Sequence, residues 1–333
     1  MVYWCSKLAA AEMILSGTTC VADGYFLEDS VAEAFIESGI RSVVAQGVID
    51  FPAPGVPDPS RNVAAAATFI ERWQGKNSLL TPAVFCHSPY TCSSETLKHA
   101  KETARQKNVK LFVHLAETKA EVDQMQKQHG TTPVRYLDRI GILDKDTICI
   151  HCVWLEQEEI EILARTGAQV STCPQSNMKL GAGIAPLKKI LESGISAGLG
   201  TDGCASNNRL DLFYEMDLCA KLHKVKEHDP TVLPAATVLQ MATLGGANVL
   251  GLGNTIGSLT PGKQADIILL DVKQPHLQPF YHPGLLVHAA SGADVSTVII
   301  AGKLVMRNRN ILTFDVARAM AEVGKLAENF QSQ

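Results

Sequence analysis

The run Leu199-Gly200-Thr201-Asp202-Gly203 ends an apolar, strand-like stretch (195–199) in a carboxylate set between glycines. A carboxylate at a strand tip can bind a metal or move a proton. Upstream, three more strand-like runs each close on an imidazole: Ala83-Val84-Phe85-Cys86-His87, Lys110-Leu111-Phe112-Val113-His114 and Thr147-Ile148-Cys149-Ile150-His151. Polar tips on four apolar strands point to one shared site. Taken singly, each histidine also reads as a hydrogen-bonded structural residue, and Asp202 as a helix cap or the shaper of a glycine turn.

To bring such tips together the chain needs a scaffold of repeated strands. Strand-like runs fall at 18–23, 42–48, 80–87, 110–115, 147–152, 169–173 and 195–200. Helical patterns fall between them, at 31–38, 62–73, 94–107, 119–129, 133–140, 156–166, 186–193 and 210–228, and Gly39, Gly141, Gly167 and Gly194 supply C-terminal stops. Continuous Val/Ile/Leu runs joined by helices indicate parallel strands buried on both faces. A doubly wound sheet gathers ligand groups at one switch point, whereas here polar residues end several strands, as at the C-terminal rim of a (β/α)8 barrel. No glycine-rich dinucleotide fingerprint follows an early strand, so the barrel is preferred. Beyond Leu252, Ile267 to Leu270 and the runs 295–300 and 304–306, joined by Ala301-Gly302-Lys303, read as a small β piece, followed by a helix over 316–330. The expected division is a barrel domain over 1–255, a partial β-sandwich over 256–312 and a C-terminal helix over 313–333.

Composition removes several function classes. With 333 residues, 46% hydrophobic and 19% charged, the chain can bury a large core. A net charge of −4 offers no footprint for nucleic acid or anionic membrane. No apolar run reaches the ~20 residues a membrane span needs, and the N-terminus lacks the pattern of a secretory signal. Nine cysteines, an odd number, read as reduced core thiols in a cytoplasmic protein. Strand alternation places Cys149 and His151 on one face and Cys152 on the other, which argues against a zinc knuckle. The acidic stretch Glu156-Gln157-Glu158-Glu159 reads as a solvated helix start favoured by the helix dipole.

Six motifs, in order along nearly the whole chain, carry a family resemblance: His87-Ser88-Pro89-Tyr90-Thr91, His114-Leu115-Ala116-Glu117-Thr118, His151-Cys152-Val153, Cys173-Pro174-Gln175-Ser176-Asn177-Met178-Lys179-Leu180, Gly200-Thr201-Asp202-Gly203-Cys204-Ala205-Ser206-Asn207-Asn208, and Gly257-Ser258-Leu259 through Ala265-Asp266. The chain resembles the amidohydrolase superfamily in its branch of adenosine-type deaminases and triazine hydrolases, and within it the 5-methylthioadenosine/S-adenosylhomocysteine deaminases. The resemblance implies a metal-dependent hydrolytic deaminase of an aminopurine nucleoside (5′-methylthioadenosine, S-adenosylhomocysteine or adenosine) that releases ammonia and gives the inosine-type product. It implies His114 and Asp202 as ligands of one divalent metal, zinc first, with iron, manganese or nickel suited to the same donors. It also implies that Glu117 protonates the purine ring and binds the base, His151 orients the attacking water, Asp202 shuttles protons and His87 hydrogen-bonds the substrate. Arg61 matches a substrate-binding arginine across a loose alignment and equally reads as a residue flanking the helix at 62–73. Gln46 stands where the family carries another arginine, which weakens the case for a carboxylate-bearing substrate.

One family element is absent. The resemblance implies a first barrel strand ending in His-x-His, and no His-x-His occurs in the sequence. The expected fold is therefore a (β/α)8 TIM-type barrel whose first strand is missing, with strand edges open at 18–23 and 195–199 and self-association into a homo-oligomer favoured. The isolated chain is expected to have little deaminase activity until an N-terminal segment is restored. Alternatives are another amidohydrolase, such as a guanine or cytosine deaminase or a triazine hydrolase, and an inactive truncated pseudoenzyme.

Overall fold

The computed structural model describes residues 1–331. After helix α1 (Val2–Leu15), seven strands alternate with helices: β1 (Cys20–Tyr25), α2 (Glu28–Ser38), β2 (Arg41–Val48), α3 (Asn62–Trp73), β3 (Leu80–Cys86), α4 (Ser94–Lys107), β4 (Leu111–Leu115), α5 (Lys119–His129), α6 (Pro133–Arg139), β5 (Thr147–His151), α7 (Gln157–Thr166), β6 (Gln169–Thr172), α8 (Pro174–Lys179), α9 (Leu187–Glu192) and β7 (Ala197–Leu199). All seven strands are parallel, and each pairs with its sequence neighbours in the order β1 to β7. They form a curled, open sheet with β1 and β7 at its edges, the architecture of a TIM-type barrel.

Alternation along the strands makes two cores. Val43 and Ala45 of β2, Ala83 and Phe85 of β3, Phe112 of β4 and Ile148 of β5 pack on the inner face of the sheet. Val44 and Val48, Val84 and Cys86, and Leu111, Val113 and Leu115 point the other way into the larger core under the helices. That two-sided burial is why the strands read as unbroken apolar runs.

The chain continues through α10 (Leu212–Glu227), α11 (Ala235–Gln240), a π-turn (Met241–Gly245) and α12 (Gly246–Val249). Glycines at 245 and 246 let this segment lie against β7. A Cβ at Gly245 would meet Ala197 O at 2.8 Å, and one at Gly198 would meet Gly246 Cα at 3.0 Å. A four-stranded antiparallel sheet follows, β8 (Ile267–Leu270), β9 (Val295–Ile300), β10 (Lys303–Arg307) and β11 (Asn310–Ile311), in the order β11-β10-β9-β8. The β9–β10 turn places Ala301 and Gly302 at φ 50° and 76°, the double left-handed geometry of a two-residue hairpin. Between β8 and β9 lies α13 (Leu285–His288), and α14 (Val316–Gln331) packs on α1. The small sheet is tied to the large one by a buried ion pair, in which Arg41 at the start of β2 donates to both oxygens of Asp266 at 2.7 and 2.9 Å.

Among the described residues no helix is long and apolar enough to cross a membrane. The acidic start of α7 departs from the sequence reading: Glu156 and Glu158 are exposed, but Glu159 is buried. Its carboxylate accepts the Glu156 N–H at 2.7 Å in a capping box, so a local backbone bond outweighs solvation there.

Candidate active site

The three histidines meet in a row. His87 follows β3 directly, His114 lies in β4 and His151 ends β5. Their ring centroids are 5.2 Å apart from His87 to His114 and 5.3 Å from His114 to His151. Phe85 packs edge-on against His114 from the inner face of the sheet, at 5.0 Å.

Burial and the two neighbouring imidazoles push the His114 pKa down to about 3, so its ring is neutral across the physiological range and its lone pair is available. Burial also lowers the pKa of His87, whose Nδ1 lies 2.9 Å from Thr91 Oγ1 and 3.2 Å from Ser88 Oγ.

Strand alternation would have sent His151 to the same side as Cys149. Instead His151 and Cys152 both take left-handed backbone conformations, φ 75° and 51°. That kink turns the His151 ring toward His114 and brings the Cys152 thiol back beside Cys149, whose carbonyl lies 3.8 Å from Cys152 Sγ. Both cysteines remain free, fully buried core thiols.

Glu117 sits two residues past β4, and its Oε1 lies 3.9 Å from His151 Nε2. The turn that carries it is pinned from behind. Glu121, near the start of α5, accepts the N–H groups of Ala116 and Glu117 at 2.9 and 2.8 Å, while Ala116 adopts φ 51°. Burial raises the Glu121 pKa to about 7, against the pull of those two donors.

Asp202 lies three residues beyond β7, also left-handed at φ 60°. Its Oδ2 accepts from Ser176 Oγ at 2.6 Å and its Oδ1 from the Gly203 N–H at 2.7 Å. The next residue of α8, Asn177, has its Oδ1 2.9 Å from His151 Nδ1. One turn of α8 thus holds both Asp202 and His151. Arg61 ends the 3-10 turn Pro59–Arg61 with its side chain exposed, and none of its contacts links it to the histidine row.

Sequence reasoning gave no separate weight to Ser176, Asn177, Glu121 or Glu215. Ser176 and Asn177 stood inside a quoted motif. The other two are lone acids on helices whose meaning depends on what they face. Glu215 is fully buried, accepting from Gln175 N at 3.2 Å and from Asn207 Nδ2 at 2.7 Å.

The donors fit a divalent metal in kind, since His114 is a neutral imidazole and Asp202 a carboxylate. They do not fit in number. Among the described residues no three His, Cys, Asp or Glu side chains converge as a metal site, whereas catalytic zinc uses three protein ligands.

The amidohydrolase family model matches residues 1–305. The 5-methylthioadenosine/S-adenosylhomocysteine deaminase of Syntrophobacter fumaroxidans is 46% identical over 331 residues, covering 99% of this chain and 75% of that protein. The 5′-deoxyadenosine deaminase of Methanopyrus kandleri is 42% identical over 331 residues, covering 99% of this chain and 76% of its own length. The crystal structure of an adenosine deaminase from Xanthomonas campestris with bound zinc superposes with a TM-score of 0.97 at 35% identity, covering 100% of this chain and 76% of that one. The chain therefore spans about three quarters of the length of these relatives. Kinship that runs through nearly every residue, over the strands that carry the histidines and Asp202, makes this chain a member of the amidohydrolase family.

Proposed function

We propose that the chain is built for hydrolytic deamination of an aminopurine nucleoside, with water and the amine giving ammonia and an inosine-type carbonyl. The observation that supports this reading is the row His87, His114 and His151 with Glu117 beside His151, and the link from His151 to Asp202 through neighbouring residues of α8. The names of the relatives from Syntrophobacter and Methanopyrus support the substrate class.

The Asn177 Oδ1 atom beside His151 Nδ1 favours the tautomer with hydrogen on Nδ1, leaving Nε2 as an acceptor aimed toward Glu117. The 3.9 Å between His151 Nε2 and Glu117 Oε1 is too long for a direct hydrogen bond and suits a reacting group shared between them. His151 then orients the attacking water through Nε2. Glu117 delivers a proton to the ring nitrogen as the tetrahedral centre forms, Asp202 carries one water proton to the departing amine, and the second water proton, released as the carbonyl forms, restores Glu117. His87 contributes a hydrogen bond to the substrate, with Arg61 as a second candidate contact from its loop. His114 and Asp202 would be two donors to a divalent ion, zinc by likeness to the Xanthomonas enzyme, and an ion held by a completed ligand set would supply hydroxide at neutral pH. Gln46, buried within β2, stands where the family carries an arginine and offers no cation to a carboxylate, which favours 5′-methylthioadenosine and adenosine over S-adenosylhomocysteine.

Ammonia release and nucleoside binding, measured together on the full chain with added zinc, test the proposal. Nucleoside binding with slow release from 5′-methylthioadenosine, the release falling about 10²–10⁴-fold in Glu117→Gln and binding weakening far less, is the expected result. Absence of both binding and release for every aminopurine nucleoside overturns it. A second reading, a non-catalytic nucleoside-binding module, is favoured by the shortage of metal donors among the described residues. Binding without release, and without retained zinc, would select it.

A further inference from the structure

Glu215 has no part in the chemistry proposed above. It lies on α10 with no solvent exposure, between Phe213 and Met216, both also buried. A carboxylate in such a place is costly unless its oxygens are satisfied, and apolar residues commonly replace buried charges without loss of stability. Here each oxygen has its own donor, and each donor belongs to a segment that holds one half of the site.

Oε2 accepts the Gln175 N–H at 3.2 Å, in the first turn of α8. The next two residues, Ser176 and Asn177, are those that contact Asp202 and His151. Oε1 accepts from Asn207 Nδ2 at 2.7 Å, and the same amide donates to Thr201 O at 2.7 Å, one residue before Asp202. Asn207 Oδ1 is buried without a hydrogen-bond partner, so that amide is held through its nitrogen alone. Ser176 also ties α8 to Asp202 directly and Lys179 reaches Ala205 and Asn208 on the exposed side, but both act through side chains of α8, whereas Glu215 holds the backbone N–H at the start of α8 and, through Asn207, the backbone carbonyl of Thr201 just ahead of Asp202.

We propose that Glu215 is a positioning residue that sets His151 and Asp202 in one mutual geometry, by gripping the start of α8 with one oxygen and the loop ahead of Asp202 with the other. Its effect on turnover rests on the deaminase reading. Its coupling of the two segments does not.

The test uses the full chain with ring-15N-labelled histidine, the His151 signals being identified by their loss in His151→Asn. Glu215→Gln keeps the volume but turns one accepting oxygen into a donor that faces N–H groups. Displaced His151 ring signals are expected in that variant, and also in Asn207→Ala, whose side chain hydrogen-bonds to Thr201 and Glu215 and to neither His151 nor α8. The two changes together should displace them no further than Glu215→Gln alone. Asp294→Asn, a buried acid in the capping box of residues 291–294, serves as the control for general loosening and should leave His151 unmoved. In turnover the expected signature is a kcat loss of about 10- to 100-fold, with KM changed by less than about twofold.

His151 signals that coincide in wild type and Glu215→Gln overturn the proposal, as do independent, additive shifts from the two variants. Should Glu215→Gln not fold, Asn207→Ala decides alone, and an unmoved His151 overturns it. If no nucleoside is turned over and the His151 signals still move, the functional reading fails and the positioning role stands.

Discussion

At the scale of single residues, the chemistry-bearing types were legible and their settings were not. Three imidazoles closing apolar runs, and a carboxylate between glycines, could be named from the sequence. What turned His151 toward His114 was a left-handed backbone that simple alternation does not anticipate in a non-glycine residue. Ala116, His151 and Asp202 all adopt φ between 51° and 75°, a strained region that persists where surrounding structure enforces it, and all three sit at the site. His114 carries a testable pH consequence. Its folded pKa of about 3 lies below the ordinary imidazole value of 6.5, so the folded state binds fewer protons between those limits. The stability it contributes is present above pH 6.5 and is lost as pH falls through that window. Urea unfolding at pH 7 and pH 5 should show wild type losing about 1–2 kcal/mol more, or gaining that much less, than His114→Asn. Glu121 and Glu215, both raised to about 7, act with the opposite sign, their stability being lost as pH rises from 4.5 through 7. The comparison with the variant separates the histidine from them.

At the scale of elements, segments with an apolar period were readable, down to the short helices α6 and α9, and a polar one was not. The helices at 62–73, 94–107 and 119–129 appear with those bounds, and Gly39 and Gly167 cap their helices in the left-handed conformation. Helix α8 escaped detection because its sequence Pro174-Gln175-Ser176-Asn177-Met178-Lys179 offers almost no apolar residues to show a period, although Pro174 marks its start. Yet α8 is the element that joins His151 to Asp202. The cap of α5 is a point where element and site meet: Thr118 Oγ1 accepts the Glu121 N–H at 3.1 Å, and Glu121 in turn pins the Glu117 turn. Thr118→Ala should cost about 1 kcal/mol of unfolding free energy in urea. A larger effect is expected where the two sheets join. Asp266→Ala strands the buried Arg41 guanidinium and should cost about 3–5 kcal/mol, while Arg41→Met with Asp266→Leu should recover most of it. A loss below 1 kcal/mol for the single change would show that water reaches the pair.

At the scale of the molecule, the seven parallel strands leave β1 and β7 each paired on one side only. An unpaired strand edge is a template for another chain, and Tyr25 at the end of β1 is 63% exposed. Sedimentation velocity should show the weight-average mass rising with protein concentration, and Tyr25→Lys should reduce that rise. A single concentration-independent monomer would show that both edges are shielded.

The sequence by itself determined the βα repeat, the two-faced burial of its strands, the hairpin at residues 301–302, and which residue types could bind a metal or move a proton. These follow from local periodicity and side-chain chemistry, which are properties of neighbouring residues. Only the tertiary structure decided that α8 bridges His151 and Asp202, that Glu159 is buried in a cap, and that Glu215 touches two segments at once. Such contacts join residues that are distant along the chain or depend on what packs above them, and no local pattern encodes which partner a buried acid will meet.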